Sequence, residues 1–359
     1  MTGERCFLNA SQKRCFSFAR LATWTSSFST NGQSTGSASS FVPPQSSTPW
    51  CSSFFAPAAK FQKRNNGQLF IPSFYDEIYN SENSFGKTYG LHREALEFGA
   101  KEYRICISEA KKCGVSFFAT AFDINSADFL NDLNMSTFKI ASGDIQNLPL
   151  LRHVAAFKKP MIISTGGASL EMIDTAINTI KQFHNEFAIL QCTASYPANY
   201  EHLNLRVISN LRERYPDNVI GYSGHDNGIA MAIVAYTLGA RVIEKHFTLN
   251  RAMKGTDHAF SLEPQGMKKM VRDLYRTSEA LGDGNKVIYE IEKLPVRKMG
   301  KMIVAARDLP AGQILAEPDL EYRSPADGLP PSMLHLLLGK SLAHSIDKFS
   351  PITLNDLVK

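Results

Sequence analysis

At 359 residues with 43% apolar side chains, the chain can form one large α/β domain with an appendage, or two medium domains with real cores. The net charge of +5 is spread out, with no basic stripe interleaved with aromatics, which speaks weakly for a small anionic substrate and against nucleic acid. No run of about 18 apolar residues offers a membrane span, and the six cysteines contain no C-x-x-C pair, so a reducing compartment, the cytoplasm, is expected.

Residues 1–55 are rich in serine and hold Arg5, Lys13, Arg14 and Arg20 against a single acid, Glu4. That composition suits a disordered tail or an organelle transit peptide, which would direct the protein to a mitochondrion or plastid. From Ala56 short apolar strands alternate with helical segments, the pattern of a parallel α/β fold. Strands are expected over 58–62, 116–120, 137–142, 160–164, 187–192, 220–223 and 242–246. Helices are expected near 91–113, 126–133, 148–156, 170–183, 203–215, 229–238 and 264–281. The strands end in polar residues: Lys60 and Gln62, Thr120, Lys139 and Ser142, Ser164, Thr193, Ser223 and His225, Glu244 and His246. In a TIM (β/α)8-type barrel such ends share the face where chemistry sits. Only seven strands are visible, and a first strand and helix are missing from this reading. The expected organisation is a Ser-rich segment over 1–55, a barrel over 56–283, a linker over 284–297 and a small unit over 298–359.

Residues 219–257 read as strand, helix, strand, with His225 after the first strand and His246 closing the second. A right-handed βαβ unit brings two such strand ends side by side, so both imidazoles can reach one point. Two neutral imidazoles suit Zn²⁺, Mn²⁺ or Fe²⁺; the bland alternative is that each histidine bonds a backbone carbonyl. Glu244 and Asp257 stand nearby with carboxylates for acid/base or sugar-hydroxyl work.

An ordered set of motifs runs through this region: KFQK (60–63), FGKTYGLHREALEF (85–98), KIASGD (139–144), ISTGG (163–167), QCTASYP (191–197), GYSGH (221–225), EKHFTL (244–249) and KGTDHAFSLEP (254–264). The chain from Ala59 onward thereby resembles the sialic acid (N-acetylneuraminate) synthases, and its C-terminal unit resembles their antifreeze-like, β-clip domain. The resemblance implies a metal-dependent transferase that joins C3 of phosphoenolpyruvate to the open-chain aldehyde of N-acetylmannosamine or its 6-phosphate. Water then attacks C2, and phosphate leaves by C–O cleavage to give N-acetylneuraminate or its 9-phosphate.

By the same resemblance Lys60 and Lys139 clamp the phosphate and carboxylate of phosphoenolpyruvate, and hydroxyls of Thr120, Ser142, Ser164 and Ser223 complete the anion cradle. His225 and His246 hold a divalent metal, Mn²⁺ or Mg²⁺ first, with Zn²⁺, Co²⁺ or Fe²⁺ as alternatives. Asp257, Tyr196, Gln62 and Asp144 bind sugar hydroxyls and the acetamido group, with Glu244 a second candidate; Asp144 stands where many relatives carry Glu. Asp144, Glu244 and Asp257 are the candidate catalytic carboxylates. In YRSPADG (322–328), Arg323 is expected to reach the partner's site in a domain-swapped homodimer. The sequence departs from the family before Lys60, where the Glu-Ile-Gly strand of relatives has no counterpart. Low activity or a non-catalytic sugar- or partner-binding remnant is therefore an alternative, as is a synthase for legionaminic or pseudaminic acid.

Overall fold

The computed structural model describes residues 58–358 and, for Ala22–Ser26, the course of the backbone. The expectations of disorder or a transit peptide over 1–55 otherwise lie outside the described residues. The chain forms two compact units, Met1–Leu281 and Gly282–Lys359.

In the first unit eight parallel strands close into a barrel in sequence order. They are β1 (Ala22–Ser26), β2 (Ala58–Lys63), β3 (Ser116–Ala121), β4 (Phe138–Ile140), β5 (Met161–Ser164), β6 (Phe187–Cys192), β7 (Val219–Gly224) and β8 (Val242–Phe247). The seven from β2 onward are those expected. The gap expected before them is filled in the backbone by β1, which runs parallel to β2 (Trp24 opposite Ala59) and to β8 (Thr23 opposite Glu244, Thr25 opposite His246). Ladder pairing uses main-chain N–H and C=O groups and asks little of side-chain identity. A segment reading ATWTS can therefore take the position without a Glu-Ile-Gly signature. The place of the helix expected to be missing, between β1 and β2, lies outside the described residues.

Strand alternation sorts the barrel into faces. Outward residues such as Ala119, Phe138, Ile140, Ile163, Ile189, Ile220 and Ile243 pack under the helices in one large core. Inward residues Ala58, Phe118, Ile162, Ala188, Leu190 and Val242 form a separate apolar floor. Two positions further along the same strands, the inward face turns polar, with Lys60, Thr120, Ser164, Cys192 and Glu244. Gly221 keeps the floor closed, because a Cβ there would collide with Leu190 and with the Val242 carbonyl.

The helices begin where short polar side chains satisfy free backbone N–H groups. Asp123 accepts from Ser126 N, Asn147 from Leu150 N and Ser169 from Met172 N. The single helix expected over 91–113 is two, Tyr89–Glu94 and Ala100–Lys112. Gly99 separates them in extended backbone, and Glu102 Oε2 accepts from its N–H at 3.0 Å, a capping interaction that starts a new helix there.

The second unit pairs Met302–Ala305 with Leu320–Arg323 antiparallel over a core that includes Ile303, Leu309, Leu315, Leu337, Leu342 and Ile352. The stretch expected as linker carries the helix Glu290–Met299, whose Arg297 pairs with Asp327. Among the described residues no helix is long and apolar enough to cross a membrane.

Candidate active site

The polar layer above the floor is organised around Glu244. Its Oε1 accepts from Lys60 Nζ at 3.0 Å and from Ser223 Oγ at 3.2 Å, and all three side chains are buried. Lys139 Nζ donates to Ser164 Oγ at 2.6 Å and to the Ile140 carbonyl at 2.8 Å. Burial opposes the charge on Glu244, yet the ammonium groups of Lys139 and Lys60 outweigh it and hold the carboxyl down to about 2. Burial also pulls Lys139 down to about 8, against the pull of Glu244. Among the described residues, Thr120 Oγ1 and Glu244 Oε2 in this layer are buried and have no hydrogen-bond partner. An unmet buried polar atom costs ~1–3 kcal/mol, so such a pair marks a place shaped for something else. Ser142 Oγ accepts from Gly166 N at 2.9 Å and hydrogen-bonds to the Cys192 sulfur.

His225 and His246 stand at the rim of this layer with ring centroids 5.2 Å apart, as the βαβ reading expected. The bland alternative is half right as well. His225 Nδ1 lies 2.9 Å from the Thr193 carbonyl, which fixes the proton on Nδ1 and turns the lone pair to Nε2, the usual arrangement behind a metal-binding imidazole. Burial opposes charge on His225, but the Cys192 thiol and that carbonyl outweigh it and push its pKa up. His246 is driven well below the ordinary histidine range, first by burial, and its Nδ1 is 3.5 Å from Asp257 Oδ2. A neutral imidazole of this kind is a competent donor, so the pair fits a divalent ion. Among the described residues no cluster of three or more His, Cys, Asp or Glu could hold a metal, and His225 and His246 are the two donors that would contribute to one.

The remaining candidates surround the histidines. The Tyr196 ring is 4.2 Å from that of His225, and burial, then the charges of Cys192, Asp257 and Glu244, raise its phenol pKa. Asp257 sits on a turn after Gly255, whose φ of +140° and closeness to the His258 ring exclude a side chain there. Asp144 lies in the turn Ser142–Asp144, where burial raises its pKa against a hydrogen bond from Asn147 at 3.2 Å. Gln62 Oε1 accepts from Arg64 at 2.6 Å. The first unit thus carries every candidate except Arg323. That residue, in the second unit, pairs with Glu321 at 2.6 Å and lies over the Phe349 ring at 4.0 Å.

Sequence reasoning gave no role to Arg64, His92 or Arg93, although two of them lie in the motif 85–98. They line one cleft with Gln62 and Asp257. An arginine one residue past a motif carries no signal until the fold shows what it faces.

Comparison with known proteins gives the family and the domains. Residues 53–286 match the NeuB family and residues 300–358 the SAF domain. The chain belongs to the NeuB family. The N-acetylneuraminate-9-phosphate synthase of Homo sapiens is 38% identical over 294 residues, 82% of each chain. The N,N'-diacetyllegionaminic acid synthase of Campylobacter jejuni is 38% identical over 250 residues, 69% of this chain and 75% of that one. Among solved structures, the N-acetylneuraminic acid synthetase from Leptospira borgpetersenii is 33% identical with a TM-score of 0.58, covering 67% of this chain and 80% of that chain. The sialic acid synthase resemblance, the barrel and the antifreeze-like unit all stand.

Proposed function

We propose that this NeuB-family enzyme condenses phosphoenolpyruvate with an N-acetylmannosamine-type sugar, giving a nine-carbon 2-keto acid and phosphate. One observation carries the reading: buried Lys60 and Lys139 flank Glu244, whose Oε2, like the neighbouring Thr120 Oγ1, has no hydrogen-bond partner among the described residues, beside a pair of imidazoles suited to a metal. Lys60 and Lys139, with Thr120, Ser142, Ser164 and Ser223, hold the phosphate and carboxylate of the enol phosphate through charge-assisted hydrogen bonds. Tyr196, Asp257, Gln62 and Asp144 orient the sugar so that its aldehyde carbon meets C3. Glu244, ionised and with Oε2 unbonded, is the acceptor placed to take a proton from the water that attacks C2. His225 and His246 would hold a divalent ion, Mn²⁺ or Mg²⁺ first, whose contribution is Lewis-acid polarisation of the sugar carbonyl.

In a domain-swapped homodimer Arg323, whose guanidinium is half exposed, would serve the partner's site. Mixing inactive Arg323→Ala and His225→Ala subunits should then recover activity, because one intact site is rebuilt; no recovery after confirmed exchange would place Arg323 outside the site.

The reaction itself is tested with phosphoenolpyruvate labelled by ¹⁸O at the bridging oxygen. Label recovered in phosphate, together with a 2-keto acid formed only in the presence of N-acetylmannosamine or its 6-phosphate, supports the reading. Turnover of a diacetamido sugar alone would move it to legionaminic-type synthesis, and label retained in the organic product would overturn the C–O cleavage route.

A further inference from the structure

The two imidazoles stand one residue beyond the last rung of the ladder between their strands. β7 and β8 pair from Gly221 opposite Val242 to Gly224 opposite Lys245, and His225 and His246 follow at once. Main-chain pairing between these strands therefore stops just short of the residues whose separation matters. His225 is tied toward β6 by the Thr193 carbonyl at 2.9 Å, and its own carbonyl accepts from Ala198 N at 3.1 Å. The His246 carbonyl accepts from Leu262 N at 2.8 Å. None of these bonds joins the two histidine-bearing ends to each other.

The join is made by their sequence neighbours. Lys245 Nζ donates to Asp226 Oδ1 at 3.0 Å and also to the Asp226 backbone carbonyl, while Tyr222 Oη donates to the same Oδ1 at 2.7 Å. Asp226 can fold back onto its own strand because residue 224 is glycine: a Cβ there would lie 2.5 Å from the Tyr222 ring and 2.7 Å from Asp226 Oδ1. Lys245 and Tyr222 alternate away from the polar layer, and Tyr222 belongs to the core under the helices, so the group touches no substrate. Nor is it arranged for stability alone. Asp226 Oδ2 has no partner among the described residues, and a buried ion pair is often no more stable than apolar residues of similar volume. What it supplies is a single geometry, since a hydrogen-bonded charge pair admits few arrangements where apolar side chains would repack.

We propose that Asp226 and Lys245 are positioning residues: their pair, on the far side of the sheet from the substrates, sets the separation of the His225 and His246 rings and so the affinity for a divalent ion. This inference rests on the reading that the two imidazoles hold such an ion. The test uses the full-length wild type, Asp226→Asn, and the double variant Asp226→Asn with Lys245→Met, which leaves no unpaired charge buried and keeps a folded comparison if the single variant unfolds. Mn²⁺ affinity is read from the electron paramagnetic resonance signal of the free ion, and phosphoenolpyruvate affinity from metal-free calorimetry. Mn²⁺ affinity should fall at least ~10-fold in the folded variants, the usual effect of losing an outer partner of a metal ligand, with phosphoenolpyruvate affinity unchanged. Unchanged Mn²⁺ affinity overturns the proposal, and so does a parallel loss of both affinities, which would mark general damage. If the wild type binds no Mn²⁺, the metal reading fails on its own, and the His225 Nδ1–H resonance of protein labelled with ¹⁵N-histidine decides the positioning role. Slow hydrogen exchange in the wild type that becomes fast in the folded double variant supports it, and equal exchange in the two overturns it.

Discussion

Neighbouring residues on β8, Glu244 and Lys245, each enter a buried ion pair, on opposite faces of the sheet. Glu244 faces inward to Lys60, with Lys139 close enough to hold its charge and one carboxylate oxygen unbonded. Lys245 faces outward to Asp226, donating to its backbone carbonyl and to Oδ1, which also accepts from Tyr222 Oη at 2.7 Å. Asp226 Oδ2 is unbonded too, but Asp226 is 0% exposed among outward-facing side chains and out of reach of a substrate. On the proposed function the inner pair is a binding device, with more cations than its carboxylate needs. The outer pair is a brace: Asp226 follows His225 and Lys245 precedes His246, so it ties together the two strand ends that carry the imidazoles. The same chemistry serves recognition or rigidity according to which face of one strand it occupies.

Removing the outer cation should do the most damage. Lys245→Met leaves Asp226 buried without its counter-charge, at a cost of ~3–5 kcal/mol. The urea midpoint should fall accordingly, and a smaller loss than in Lys60→Met would reverse the comparison. Lys60→Met should cost less stability, since Lys139 still compensates Glu244. It should instead weaken phosphoenolpyruvate binding by ~1.5–3 kcal/mol while sugar affinity changes little. Equilibrium titration with each substrate separates the two effects, and a selective loss of sugar binding would show that Lys60 belongs to the other substrate.

A third expectation sharpens the inner pair through pH. Lys139 faces Glu244, Lys60 and Cys192, and its pKa near 8 lies below that of a free lysine, so its charge is present below pH 8 and lost above. kcat/KM for phosphoenolpyruvate, which reports the free enzyme, should be flat below that pH and fall about tenfold per unit above it. An unchanged profile in Lys139→Met would remove the assignment. The smallest effect belongs to the brace: Tyr222→Phe deletes one hydrogen bond to Asp226 and should cost about 1 kcal/mol in urea unfolding, with the preference between sugars unmoved.

Much of the site was legible because barrel chemistry collects at strand ends, and each strand end announces itself locally as an apolar run closed by Lys, Thr, Ser, Glu or His. The helix boundary at Gly99 was missed because the apolar spacing continues through it, while the capping bond that breaks the helix involves one side chain three residues on. β1 was missed for the opposite reason: ATWTS has no family signature, and its place is set by backbone pairing with strands far away in sequence.

By itself the sequence determined the alternation of β2–β8 with helices, the meeting of His225 and His246, and the family, because these follow from periodicity and from motifs a few residues long. Only the tertiary structure decided that Lys60 pairs with Glu244 across 184 positions, that Lys245 turns away to Asp226, and that Arg64 and Arg93 converge on one cleft. Charge pairing depends on distance in space, and barrel closure, which no local pattern encodes, sets that distance.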